Sequence, residues 1–310
     1  MILCIGTTPA VQRVLVFRKL VLDSVNRAAT TLDGAAGKSI NVAKVLRTLG
    51  ERPIATGFLG GDRGEYLRAV LAEKGIVSEF VSVNARTRLC ITLIDEATGH
   101  HTELVEESQP VEPCDYEKLK SVIRQRVTGC RALIMSGTIT PGGPPGFYYD
   151  CAQIAREAGL LSVIDAHGTS LQEALKARPG VVKPNRLELA STLGRELNDE
   201  PALLEAMRDL HQRGAERVVV TGGKGATLAF NGHSFWRVIP PRITPVNPIG
   251  CGDAFTAGLV WRLLRGEALG EACRWANAVG VANALTLMPG ELNYSDLEPL
   301  AEQAKVEQVF

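Results

Sequence analysis

The feature that most constrains this chain is an alternation. Short apolar runs rich in Val, Ile and Leu occur at residues 2–6, 53–58, 132–136, 161–165, 181–183 and 217–221. Between them lie stretches with helical spacing near 39–49, 63–74, 115–127, 146–158, 169–177, 186–193 and 200–213. A run that is apolar throughout must be covered on both faces, and strands separated by helices pair in parallel. The pattern therefore predicts an α/β fold, a three-layer α/β/α sandwich around a mostly parallel sheet. Ligands on such sheets bind beyond the carboxyl ends of the strands, so the residues just after strands carry the chemistry.

Two segments break the rhythm. Residues 11–17 with 26–32, and 88–94 with 101–105, are strand-like pairs with no helix between them. Asp95-Glu96-Ala97-Thr98-Gly99 supplies hairpin turn chemistry in the second. They form either two edge hairpins or a small separate sheet that covers the site, and periodicity leaves both open. The tail from Ser295 reads as a polar helix at the periphery.

The chain of 310 residues fits one large domain spanning 1–310, near the size at which single cores stop growing. Lys+Arg and Asp+Glu both number 34, a zero formal charge that argues against a nucleic-acid platform. No run approaches the roughly 18–20 apolar residues of a membrane span, and the N-terminus has no basic stretch before its apolar run. Seven scattered cysteines, never spaced as C-x-x-C, read as small buried hydrophobes in a reducing compartment. Five histidines offer no zinc spacing. The expectation is a cytoplasmic protein without nucleic-acid or membrane partners.

Four clusters carry candidate chemistry. In Asn247-Pro248-Ile249-Gly250-Cys251-Gly252-Asp253-Ala254-Phe255, two glycines flank Cys251 and a stripe of Phe255, Leu259 and Leu263 follows at helical spacing. The turn thus sits at a helix N-terminus, where free N–H groups favour an anion. Asp253 is either a base beside that anion or a helix cap. Asp33-Gly34-Ala35-Ala36-Gly37-Lys38-Ser39-Ile40-Asn41 imitates a P-loop, but Leu32 stands where the first glycine is required. Lys38, at a helix start, is disfavoured by the dipole and makes most sense near an anionic ligand. Lys183-Pro184-Asn185-Arg186-Leu187-Glu188 opens a helix after a strand. Asn185 and Glu188 have the spacing of a capping box, and alternatively they hold a hydrated Mg²⁺. Thr221-Gly222-Gly223-Lys224-Gly225-Ala226 ends another strand and is either a plain turn or a seat for a nucleotide.

Together the four clusters resemble the PfkB (ribokinase-like) carbohydrate kinase family, essentially from Met1 to the last helix. Thr8-Pro9-Ala10, Asp23-Ser24-Val25-Asn26-Arg27, Thr87-Arg88, Thr102-Glu103-Leu104, Ser136-Gly137 and Ala276-Asn277 narrow the resemblance to its 1-phosphofructokinase and tagatose-6-phosphate kinase branch. The resemblance implies an ATP-dependent, Mg²⁺-assisted kinase that phosphorylates a hydroxyl of a sugar phosphate. It makes Asp253 the base and Gly250, Cys251 and Gly252 the anion hole. It puts Gln12, Gly37, Lys38, Asn41, Arg88 and Ser136 at the acceptor, with Lys38 and Arg88 on its phosphate and Asn41 on sugar hydroxyls. Lys183, Asn185, Thr221, Gly223, Gly225 and Asn277 would hold the nucleotide, and Asn185 and Glu188 the metal. Segments of approximately 11–33 and 88–106 become a lid inserted in the domain, through which family members commonly form homodimers.

Several residues depart from the branch pattern. Gln12 stands where an Asp is usual, Ala36 and Ser39 where glycines are, and Cys251 where Ala or Ser is; the turn at 221–226 is about one residue tighter. The base and anion hole are intact while the sugar-facing wall is altered. Two rivals follow: a kinase of a neutral sugar or nucleoside on the same fold, and a catalytically idle sugar-phosphate-binding protein. Lys38 and Arg88 argue against the first, and Asp253 with its glycines against the second.

Overall fold

A computed structural model describes residues 1–309. In chain order the elements are β1 (Ile2–Gly6), β2 (Ala10–Phe17), β3 (Thr30–Ala36), α1 (Lys38–Thr48), β4 (Pro53–Leu59), α2 (Gly61–Glu73), β5 (Val77–Ser78) and β6 (Val81–Ser82). Then follow β7 (Arg88–Asp95), β8 (His100–Val105), α3 (Pro113–Arg126), β9 (Ala132–Ser136), α4 (Phe147–Glu157), β10 (Leu161–Asp165), α5 (Gly168–Leu175) and β11 (Val181–Val182). The chain continues through α6 (Arg186–Leu193), α7 (Glu200–Gln212), β12 (Val218–Val220), β13 (Thr227–Phe230), β14 (Phe235–Ile239), α8 (Cys251–Leu263), α9 (Leu269–Ala284), α10 (Leu297–Gln303) and β15 (Lys305–Gln308).

The main sheet runs in the order β15-β14-β13-β12-β11-β10-β9-β1-β4-β5, with β6 also on β4. It is parallel from β12 to β5 and antiparallel at the other end. The central strand β1 shows why both faces are covered. Ile2 and Cys4 point into a core shared with Ile40, Leu46, Leu259 and Val279 of α1, α8 and α9. Leu3 and Ile5 point the other way, onto Leu119, Phe147, Leu171 and Leu210 of α3, α4, α5 and α7. All four strand residues are fully buried, as a period of two with helices on each side requires.

The strand-like pairs at 11–17 and 88–94 do not remain separate hairpins. β2 pairs with β7 in parallel over its whole length, making one four-stranded sheet in the order β3-β2-β7-β8. Val14, Val16 and Ile94 on its inner face pack with Met288. One boundary differs from the sequence expectation: the second strand runs over Thr30–Ala36, not 26–32. Asn26 is withdrawn from it because its side chain closes a turn, accepting from Val21 N at 2.9 Å and donating to Val21 O at 2.7 Å.

The tail also differs. Leu297, Leu300 and Ala301 are buried by α10, and β15 then pairs with β14 as the edge of the main sheet. Among the cysteines, all free, Cys114 is exposed and Cys251 half-buried, contrary to the expectation that all are core residues. No helix among the described residues is long and apolar enough to cross a membrane.

Candidate active site

The carboxyl ends of β10 and β11 meet the starts of α1, α6 and α8. Each start is shaped by its sequence. Gly37, the N-cap of α1, has φ +103°, and a Cβ there would fall 2.9 Å from Pro9 Cα, so only glycine lets β3 pass into the helix this close to the chain after β1. Gly250, the N-cap of α8, has φ +84°, and its Cβ would meet Pro289 Cβ at 2.8 Å. The first intrahelical bond of α8 runs from Ala254 N to Gly250 O at 2.9 Å. The N–H groups of Cys251, Gly252 and Asp253 therefore lie outside the helix's own ladder, with Cys251 N making a long bond of 3.4 Å to Pro248 O.

Asp253 is 6% exposed, and Asn41 Nδ2 donates to its Oδ2 at 2.7 Å. Burial pushes its carboxyl up, to about 7, with the nearby charge of Asp165 adding to the rise and Lys38, the Asn41 bond and Lys183 opposing it. A carboxylate of that kind is poised as a base near neutral pH. Asn41 Oδ1 and Ser136 Oγ, both buried, have no partner among the described residues.

Asp165, at the last position of β10, holds the charges together. It is fully buried and faces Lys38 Nζ at 3.2 Å, Lys183 Nζ at 3.4 Å and Thr256 Oγ1 at 3.0 Å. Burial alone would raise its carboxyl, but Lys183, Lys38 and the Thr256 hydroxyl hold it below the ordinary range. Lys38 shows the converse. Burial alone would lower it, but Asp165, Asp253 and Glu188 keep it well above the ordinary lysine range. Lys38 also reaches Glu188 Oε1 at 3.4 Å, so its cost at a helix start is offset by three carboxylates. Lys183 Nζ lies 3.9 Å from where a Cβ on Gly252 would stand, which puts a second cation beside the N–H groups of α8.

Asn185 and Glu188 form a complete capping box. Asn185 Oδ1 accepts from Glu188 N and Glu188 Oε2 accepts from Asn185 N, both at 2.8 Å. The amide oxygen expected to face a metal is thus engaged by the backbone, while Glu188 Oε1 turns toward Lys38. The turn at 221–226 adjoins this helix start through an isolated parallel bridge between Asn185 and Thr221. Its Gly222 is required by Ala226 O, 2.4 Å from the position of a Cβ, while Gly223 and Gly225 are exposed. Asn277, in α9, is buried and donates to Cys273 O at 3.1 Å. Its Oδ1 accepts from Thr227 Oγ1 at 3.5 Å, a contact that ties β13 to α9.

On the acceptor side, Gln12 is 2% exposed and its Nε2 donates to Thr92 Oγ1 of the neighbouring strand at 2.9 Å. Arg88 Nε donates to Thr8 O at 3.3 Å, and Arg88 borders a small cavity with Thr7, Thr8 and Thr87. Lys38, expected with Arg88 on the acceptor's phosphate, forms ion pairs with Asp165 and Glu188. Sequence reasoning missed Asp165 and Thr256. The signal for Asp165 was present: an acid closing the apolar run Leu161-Ser162-Val163-Ile164, at the strand end where ligands bind.

A buried carboxyl raised toward neutrality, a helix N-terminus with N–H groups outside its own ladder and flanking lysines thus meet at a strand-end crevice of an α/β/α sandwich. The model of the pfkB family carbohydrate kinases matches residues 1–290, and the chain belongs to that family. A tagatose-6-phosphate kinase of Staphylococcus epidermidis is 32% identical over 312 aligned positions, covering 100% of both chains. Among solved structures, a "Possible 1-phosphofructokinase" of Thermotoga maritima superposes with a TM-score of 0.93 at 24% identity, covering 100% of both chains. Phosphofructokinase-2 of Escherichia coli superposes with a TM-score of 0.89 at 23% identity, over 97% of this chain and 98% of that one. The protein is therefore a carbohydrate kinase, a phosphotransferase with a sugar hydroxyl as acceptor and ATP as donor.

Proposed function

We propose that the enzyme transfers the γ-phosphoryl group of ATP to a hydroxyl of a sugar phosphate, in the manner of the 1-phosphofructokinase and tagatose-6-phosphate kinase branch. The observation that carries this reading is Asp253, buried, raised toward neutrality and bonded to Asn41 at the open N-terminus of α8. Asp253 takes the proton of the attacking hydroxyl. The N–H groups of Gly250, Cys251 and Gly252 hold the transferring phosphoryl, with Lys38 and Lys183 countering its charge. The unpartnered Asn41 Oδ1 and Ser136 Oγ suit a ligand rich in hydroxyls, since each costs free energy until a donor or acceptor arrives. Gly37 brings this wall close to β1, Gln12 lines its lid side, and Arg88 takes the acceptor's phosphate. Thr221, Gly223, Gly225 and Asn277 border the nucleotide, beside Asn185.

Glu188 fits a Mg²⁺ that keeps its waters. Its Oε1 stands 3.4 Å from Lys38, longer than the roughly 2.7–2.9 Å of a strong charge-assisted bond, and the side chain is 19% exposed. Glu188, with water and phosphate oxygens, would hold this ion, which when bound would supply positive charge to the phosphates. Asn185 supports it by fixing Glu188. The domain spans 1–310, with a lid at about 11–33 and 88–106 that excludes water as a competing acceptor. The lid also supplies a homodimer face: Leu104 and Val105 of β8 are 50% and 47% exposed, and Leu22 and Val25 are 85% and 83% exposed.

ADP release from a panel of five- and six-carbon sugars, with and without a phosphate, tests the reading. Phosphorylated acceptors are expected to dominate. A neutral sugar or nucleoside as the better acceptor overturns it.

A further inference from the structure

A second cationic cavity lies farther along α1, toward its C-terminal end. It has a volume of about 320 Å³ and is walled by Lys44, Arg47 and Thr48 of α1, by Lys74 and by Gly290 and Glu291. That volume sits at the lower end of the roughly 300–1,000 Å³ of small-molecule sites. Its wall carries three cations and one carboxylate, and that carboxylate is taken by Lys74, 2.8 Å away.

Lys44 is the informative member. It is 4% exposed and no carboxylate among the described residues pairs with it; its Nζ donates to Ala35 O at 3.2 Å and Pro289 O at 2.6 Å. An ammonium has three N–H donors, so one is left without an acceptor among the described residues. Burial lowers its pKa, to about 8, with Glu291 and Lys74 acting in opposite senses. A buried cation with an open donor is costly unless an anion completes it. Arg47, in the last turn of α1, complements the helix dipole, but that accounts for neither Lys44, a turn earlier, nor Lys74. The planar fork of Arg47 suits phosphate.

The segment behind the cavity touches the active site. A Cβ on Gly250 would meet Pro289 Cβ at 2.8 Å, and one on Gly290 would meet Asn41 Cα at 2.9 Å. Asn283 locks this arrangement, accepting from Gly290 N at 2.7 Å and donating to Ile249 O at 2.9 Å. The carbonyl that Lys44 holds therefore belongs to the wall of the anion hole and of the residue bonded to the base.

We propose that this cavity binds a small phosphorylated metabolite through Lys44, Arg47 and Lys74, and that occupancy slows turnover by drawing Lys44 from Pro289. The binding half stands on the cavity alone, and the coupling half rests on the kinase reading above. Inorganic phosphate is the probe. Titrated calorimetrically into a Lys38→Met variant, in which active-site anion binding is weakened, it is expected to bind, and adding Arg47→Glu or Lys74→Glu should weaken that binding about tenfold or more. Equal affinity with and without these changes overturns the site. In the kinetic arm, at saturating ATP and acceptor, phosphate should lower kcat at least about twofold in the natural enzyme and leave Arg47→Glu unaffected; the two should have the same kcat without phosphate. Equal inhibition of both, or inhibition competitive with acceptor alone, overturns the coupling. Should no sugar phosphate be turned over, the kinase reading fails while the titration still decides the cavity.

Discussion

Replacing Asp165 with Asn removes one negative charge and little volume, and two distinct effects follow. The first is on stability. Asp165 is the buried counterion of Lys183, which is 3% exposed, and of Lys38, which is 36% exposed. Removing one partner of a buried pair costs roughly 3–5 kcal/mol because the other is left charged and dry. Lys38 regains water and keeps Glu188, so most of that cost falls on Lys183. At roughly 2.1 cal/mol/K per residue, the 310-residue chain has a melting entropy near 0.65 kcal/mol/K, so Tm should drop by about 5–8 °C. The second effect is on the base. The Asp165 charge helps to raise the Asp253 carboxyl, so its loss should move the acid limb of kcat/KM to lower pH. Thermal unfolding followed by circular dichroism, and kcat/KM for a sugar phosphate from pH 5 to 8, read the two separately. An unchanged Tm together with an unmoved acid limb would refute the view that Asp165 anchors the site's charges.

In the natural enzyme, Asp253 takes up a proton as pH falls through about 7, so kcat/KM should decline about tenfold per unit below that value. A limb near pH 4 would show that burial does not raise the Asp253 carboxyl. Arg88→Ala should raise KM for the phosphorylated acceptor by roughly 10- to 150-fold, the equivalent of about 1.5–3 kcal/mol, with ATP affinity unchanged. An unchanged KM would place the acceptor's phosphate elsewhere. Gln12 is neutral and tied to Thr92, so it should hold sugar hydroxyls more weakly than a carboxylate. Weak use of fructose-1-phosphate and tagatose-6-phosphate is expected, with Gln12→Asp raising kcat/KM for both; a natural kcat/KM of about 10⁴ M⁻¹s⁻¹ or better on either sugar contradicts this.

The sequence carried the parallel sheet well because burial on both faces leaves a plain signature. Ile2–Gly6, Ala132–Ser136 and Leu161–Asp165 are strands to the residue. The antiparallel end was harder to see, since β13 to β15 are short, the turns on either side of β13 are glycine-containing and look like loops, and β15 arrives only after three helices. The start of β3 was obscured because Asn26 prefers a side-chain turn, and no local pattern could reveal that β2 pairs with β7. In the site, Asp253 and the glycines were readable from a contiguous motif. Its bond to Asn41, 212 residues away, was not, and neither was the capture of Lys38 by Asp165 and Glu188. Such contacts depend on where strands end in space. Lys38 therefore reads as an acceptor-side cation from its motif and as a reacting-centre cation from its neighbours.

The central claim is that Asp253 abstracts the acceptor's proton. Steady-state turnover of Asp253→Asn tests it most directly, because Asn keeps the shape and can still bond to Asn41 while losing the base. Its kcat should be lower by roughly 10²–10⁴-fold with ATP affinity nearly unchanged. Turnover within a few-fold of the natural enzyme would contradict it and leave Asp253 as a buried acceptor for Asn41 in the first turn of α8.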